Sequence, residues 1–303
     1  MKNKYQSLTK EERFKGSLVG LATGDALGAS LEFIHTIPNP PLTEMTDGYW
    51  TDDTSMALCT VHSLIDRRTF DLRNQMENFV SWYTRGFLSS RGYCFDIGNR
   101  TREALEDYML LDQITEGVDP HDDNLSNGSL MRLAPVPLFY YNNVELAAKR
   151  SKQHTLLTHP SQMCVDASAC LSTFITCCFH DHLGKHALVE DVANYRNDLF
   201  PSLSNWFDDY LLNPRKPDTS KHVGYVMTSL EMALWAFLTT PNFEEGCILC
   251  VNNGGDTDTY AAIYGQLAGA YYGYKSIPER WTKKLIQHKI ICDYAKILCD
   301  ITA

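Results

Sequence analysis

Two short segments concentrate oxygen donors more densely than a helix cap requires. Thr51-Asp52-Asp53-Thr54 follows Trp50, and Asp256-Thr257-Asp258-Thr259 follows Asn252-Asn253-Gly254-Gly255. Capping accounts for one Asp and one Thr at a helix start, where both residue types are favoured. It accounts poorly for a second Asp and a second Thr beside them. Asp256 and Asp258, two apart, point away from each other on a regular helix. They can converge at a turn entering a helix, and the preceding glycine pair permits such a backbone. Carboxylates that converge repel one another unless a proton or a cation sits among them. Asp carboxylates and Thr hydroxyls are hard oxygen donors, suited to Mg²⁺ or Mn²⁺ and not to zinc. Four Asp and two or three Thr could hold two ions roughly 3.5–4 Å apart, as in binuclear hydrolases.

Something must bring these distant segments together, and the spacing of apolar residues says that helices do so. Phe14, Leu18, Leu21 and Ala22 share one face of a first helix, and Met56, Leu58, Val61, Leu64 and Ile65 one face of a second. Val165 to Ile175, Val226 to Phe237 and Ile263 to Tyr271 mark three more, and 278–301 reads as a last helix with Pro278 near its start. Strand alternation is nearly absent. Breakers cluster at 36–50, 117–129 and 212–222 without any flexible Gly/Ser linker. The fold expected is therefore all-α, a single domain over 1–303. Gly16, Gly20, Gly24 and Gly28 recur every fourth residue, as do Gly265, Gly269 and Gly273. An interior glycine costs a helix about 1 kcal/mol relative to alanine, so such strips make sense where another backbone approaches closely. The strips flank the two acidic clusters, and packing them together would join the clusters.

The formal net charge of -10 argues against a duplex nucleic acid partner. No apolar run reaches the roughly 18 residues a membrane helix needs. The start, from Met1-Lys2-Asn3-Lys4, carries no apolar core before Phe14, so no signal peptide is expected and the location expected is cytoplasmic. Ten cysteines raise two further motifs, Cys247-Ile-Leu-Cys250 and Cys177-Cys178-Phe-His180-Asp-His182. The first lies in an apolar stretch, and no second CxxC exists to complete a zinc site. Both are read as core thiols in a reducing compartment.

Taken together, Gly20-Leu-Ala-Thr-Gly24-Asp25-Ala-Leu-Gly28 with Glu32, Thr51 to Thr54, Ser126-Asn127-Gly128-Ser129-Leu-Met131-Arg132, Thr158-His159 and Asn252 to Thr259 resemble the ADP-ribosylglycohydrolases. The motifs stand in family order over nearly the whole chain. The resemblance implies an orthogonal helical bundle with two Mg²⁺ or Mn²⁺ ions on Thr51, Asp52, Asp53, Asp256, Asp258 and Thr259. It implies Glu32, Asp53 and Asp256 as catalytic carboxylates, Glu32 lying over the metal centre. It implies ADP-ribose contacts from Ser126, Asn127, Gly128, Ser129 and Met131, with His159 near the adenosine end. The family commonly has glycine where this loop begins with Ser126. A loop entering a helix can present N–H groups to a diphosphate. Arg132 is open between a phosphate contact and a salt bridge inside the fold.

The reaction implied is metal-dependent hydrolysis of the glycosidic bond joining ADP-ribose to a protein side chain, with ADP-ribose released. An arginine N-linkage is favoured over a serine O-linkage or a small-molecule conjugate. A binuclear phosphohydrolase and a non-catalytic ADP-ribose-binding member of the same fold are the rival readings. Glu32 is open between acid, base and gate, and oligomeric state is not legible.

Overall fold

A computed structural model describes residues 8–34, 38–180, 182–219 and 223–302. Residues 1–4 of the start, 36 and 37 of the first breaker segment, Asp181, and 220–222 of the last breaker segment lie outside these. Among the described residues there are helices and no strand; a single bridge pairs Ser126 with Tyr225. In chain order come α1 (Lys10–Gly28), α2 (Asp52–Arg67), α3 (Leu72–Arg85), α4 (Asn99–Leu111) and α5 (Pro135–Phe139). Next are α6 (Val144–Leu156), α7 (Gln162–Cys177), α8 (Lys185–Ala193), α9 (Arg196–Leu199) and α10 (Ser204–Leu212). The last five are α11 (Val226–Thr239), α12 (Phe243–Val251), α13 (Thr257–Tyr272), α14 (Glu279–Lys284) and α15 (His288–Ile301). The architecture is all-α, as the periodicity requires.

The centre of the molecule is the pair α1 and α13. A Cβ added to Gly16 would lie 2.1 Å from the Gly269 carbonyl oxygen, and one on Gly20 2.3 Å from that of Gly265. One on Gly24 would lie 2.1 Å from the Ala261 oxygen, and one on Gly28 2.5 Å from the Asp258 Cα. Residue numbers rise along one helix as they fall along the other, so the two run antiparallel in backbone contact. Both are buried over nearly their whole length. Gly28 therefore meets the start of α13, where the second acidic cluster stands. Gly273 ends α13 with φ of 80°, its carbonyl carbon 2.9 Å from a Cβ added to Gly16 and its own α-carbon against Leu8.

α1 begins with a capping box, in which Thr9 accepts from the Glu12 backbone N–H and Glu12 from that of Thr9. The tail differs from the single helix expected. α14 ends at Lys284, and Gln287, in left-handed backbone with φ of 52°, starts α15 in a new direction. The reason lies in packing, since the 285–287 turn docks on the 43–48 loop. Ile286 N–H donates to the Gly48 carbonyl, and the Trp281 indole to that of Thr43. No helix of the described residues is long and apolar enough to cross a membrane.

Candidate active site

The two acidic clusters meet at one end of the α1/α13 pair. Thr51 stands as N-cap of α2 and Asp256 as N-cap of α13, but neither side chain caps its helix. The Thr51 hydroxyl is instead shared between Asp25 Oδ1, at 3.0 Å, and Asp53 Oδ2, at 3.1 Å. Asp25, fully buried on α1, also accepts from the backbone N–H groups of Thr51 and Thr54 and from the Thr54 hydroxyl. The first cluster is thus bolted to α1. The second is held from the other side: Asn127 donates its amide to Asp256 Oδ2 at 2.8 Å and to the Ser229 hydroxyl at 2.8 Å. Thr257 donates to the Gly28 carbonyl.

Several of these carboxylates line a cavity of about 460 Å³, within the rough 300–1,000 Å³ range of small-molecule sites. Asp52, Asp256, Asp258, Thr259 and Glu32 face it, together with Asp96. Glu32, Asp96 and Asp258 offer oxygens within 4.8 Å of one another. Burial, then the charge of Asp96 and Asp256, pushes Glu32 up to about 9, so Glu32 keeps a proton beside Asp96. Burial, then the neighbouring carboxylates, raises Asp52, Asp53 and Asp258 well above the ordinary carboxylate range. Asp53 Oδ1 is buried without a hydrogen-bond partner. So many buried oxygens, one of them unpartnered, fit divalent cations with a preference for hard ligands. Thr51 and Asp53 are buried and do not line this cavity.

Another part of the lining is different in kind. Gly98, Asn99, Arg100 and Thr101 form it from the start of α4, whose N-terminus carries no side-chain cap. Free N–H groups at a helix start, with the Arg100 guanidinium beside them, suit an anion. Arg100 also pairs with Asp122 at 2.8 Å. The Ser126–Met131 segment forms the floor, pinned by the Asn127 N–H to the Gly224 carbonyl and by Val226 N–H to that of Leu125. One cavity thus carries both a carboxylate cluster and an uncapped helix start with an arginine. The sequence profile of the ADP-ribosylglycohydrolase family matches residues 6–302.

The chain belongs to the ADP-ribosylglycohydrolase family.

An ADP-ribosylarginine hydrolase of Serratia proteamaculans is 33% identical over 295 residues, covering 95% of this chain and 79% of the relative. The ADP-ribosyl-[dinitrogen reductase] glycohydrolase of Rhodospirillum rubrum is 30% identical, covering 90% of each. A solved structure described as an ADP-ribosylglycohydrolase-related protein complex superposes with a TM-score of 0.82 at 34% identity, over 97% of this chain and 99% of that one.

Within this glycohydrolase fold, the residues expected at ADP-ribose divide into two groups. Ser126, Asn127, Gly128, Met131 and His159 line the cavity. Ser129 is fully buried beneath it, its hydroxyl unpartnered and turned away from the lining. His159 is buried between the Thr158 hydroxyl, 2.7 Å from Nδ1, and the Ser126 hydroxyl, 2.9 Å from Nε2. Burial, then Arg132 and Arg100, pushes its pKa well down, so the ring is neutral. Ser126, where the family commonly has glycine, thus uses its hydroxyl to fix this ring. Gly128 has no room for a side chain, since a Cβ would lie 2.9 Å from His159 Cε1. Arg132 does neither of the things considered for it. It is wholly buried, donating to the Gly128 carbonyl and the Thr158 hydroxyl while covering the Phe79 ring. Asp96 was not legible from the sequence. It stands in the loop before α4 with φ of 61°, an uncommon backbone for a residue other than glycine, and no neighbouring motif marks it.

Proposed function

We propose that the chain hydrolyses the N-glycosidic bond between ADP-ribose and an arginine side chain, releasing ADP-ribose. The observation that carries this reading is the convergence of Asp52 and Asp53 with Asp256 and Asp258 beside a cavity that is also lined by the start of α4 and Arg100. The arginine linkage is supported by the ADP-ribosylarginine hydrolases of Serratia proteamaculans and Pseudomonas putida, at 33% and 34% identity. Thr51, Asp52, Asp53, Asp256, Asp258 and Thr259 would hold two Mg²⁺ or Mn²⁺ ions. Such ions supply Lewis acidity toward sugar hydroxyls and water.

The chain's own residues do the rest. The diphosphate lies at the start of α4 beside Arg100, and the Ser126–Met131 floor supports the sugars. This places the distal ribose over the carboxylates. As its glycosidic bond breaks, positive charge grows on the ring and is stabilised by the carboxylates around it. Glu32, kept protonated by burial and by Asp96, is placed to give its proton to the departing guanidine nitrogen. Asp96 then faces a newly anionic neighbour and favours recovery of that proton from the attacking water. Gating by Glu32 is not required for this cycle.

The test is incubation with an ADP-ribosylated arginine peptide, and separately a serine-linked one, with Mg²⁺, Mn²⁺ or chelator. ADP-ribose release from the arginine peptide, abolished by chelator, is expected. No release with any ion would sink the proposal, and release from the serine peptide alone would reassign the linkage.

A further inference from the structure

One sequence motif is left unused by the glycohydrolase site. Cys177 is the last residue of α7, and His180 and His182 follow it three and five residues on. α8 brings Asp191 to the same place from eleven residues beyond His180. The Cys177 Sγ, a His180 ring nitrogen and an Asp191 carboxylate oxygen all lie within 4.8 Å of one another. His180 Nδ1 is 2.7 Å from Asp191 Oδ2, and His182 Nε2 is 3.4 Å from that same oxygen. Read from sequence, these cysteines are core thiols; the fold adds the Asp191 carboxylate of α8 beside them.

We propose that Cys177, His180, His182 and Asp191 form a zinc site, separate from the carboxylate centre, that fastens the end of α7 to α8. One sulfur, two imidazoles and one carboxylate are the ligand types zinc takes in tetrahedral sites. Zinc–nitrogen and zinc–oxygen bonds of about 2.1 Å put neighbouring tetrahedral ligands about 3.4 Å apart. The His182–Asp191 separation already matches that edge. The His180–Asp191 pair must open by less than an ångström, exchanging a hydrogen bond for two metal bonds. His182 gives up its 2.8 Å contact with the Cys177 carbonyl to do so. Binding releases the Cys177 thiol proton to solvent. Without a cation, burial and the nearby Asp191 carboxylate push that thiol up, so the proton stays.

The carboxylate centre offers oxygens and no thiol ligand, so a sulfur signature separates the two sites. The metal-free full-length chain is titrated with Co²⁺, whose thiolate charge-transfer band in the near ultraviolet reports a Co–S bond. We expect a band that saturates at one equivalent, is displaced by Zn²⁺, and survives Cys94→Ser, a cysteine whose thiol feels the Asp52 charge. It is lost in Cys177→Ser, and zinc affinity falls at least tenfold in His180→Ala, whose side chain is half-exposed and tolerant of truncation. Zn²⁺ should also raise the melting temperature of the wild type more than that of His180→Ala. Absence of the band in the wild type, its survival in Cys177→Ser, or unchanged zinc affinity in His180→Ala would each overturn the proposal. Because His180→Ala leaves the buried thiol in place, it decides the matter if Cys177→Ser does not fold.

Discussion

The Thr54 hydroxyl donates to Asp25 Oδ2 at 2.5 Å, which ties the first acidic cluster to a carboxylate that lies behind it on α1. With the Thr51 hydroxyl and two backbone N–H groups, Asp25 accepts from four donors and is wholly buried. Burial raises it to about 6, against the pull of those hydrogen bonds.

Asp25→Asn turns an NH₂ group toward donors and strands at least one of them. An unsatisfied buried donor costs about 1–3 kcal/mol, so the variant should be destabilised by about that much. Loss of an outer partner of a metal ligand typically weakens metal binding about 10–100-fold. Calorimetric Mg²⁺ titration beside thermal unfolding checks both. Unaltered Mg²⁺ affinity would show that Asp25 supports the fold alone.

Gly24→Ala sets two magnitudes against each other. Alanine gains about 1 kcal/mol of helix propensity, but its Cβ would lie 2.1 Å from the Ala261 carbonyl oxygen. The atom it meets is backbone, so α1 and α13 must part, and overpacking of this kind costs about 1–3 kcal/mol or more. The clash wins. The variant should melt lower and bind Mg²⁺ more weakly, because the two clusters ride on the helices that are pushed apart. A melting temperature equal to or above that of the wild type would count against backbone contact at Gly24.

These two positions show what was legible from sequence. The glycine spacing announced a close helix pair, and the doubled Asp and Thr announced more than caps; neither depends on distant neighbours. Asp96 and the start of α4 were not legible, because their place at the cavity follows from how the loop between α3 and α4 turns. Ser129 lies in the right motif but under the floor, since the turn after Gly128 rotates its side chain inward. Asp25 stood inside a quoted motif without a role, because its four donors come from residues 26 to 29 positions away. The break at Gln287 was hidden because it depends on docking against Gly48.

Asp258→Asn separates metal binding from stability. It removes one of several buried acids that the metal-free fold must keep protonated, so the metal-free variant should melt at or above the wild-type temperature. Turnover should fall by at least about 100-fold, or about 2.7 kcal/mol of transition-state stabilisation. Assay of ADP-ribose release on the folded variant checks this; near wild-type turnover would remove Asp258 from the proposed ligand set.

The same carboxylates set a pH dependence whose sign can be worked out. In the metal-free folded chain, burial holds protons on Asp52, Asp53 and Asp258, and on Glu32 up to about 9. The unfolded chain releases its carboxyl protons near pH about 4. Above that pH the folded state binds more protons than the unfolded state, so stability falls as pH rises. The contribution is fully present below the unfolded value and is lost as pH climbs through the folded ones. The melting temperature in chelator should therefore drop between pH about 5 and about 9. Mg²⁺ displaces the protons of its Asp ligands, so its affinity should rise as pH climbs through this interval and the drop should flatten when Mg²⁺ is saturating. Thermal scans with chelator and with Mg²⁺ across that range check the sign. A melting temperature in chelator that holds level or rises with pH would mean that the acidic cluster is already charged and solvated without its ions.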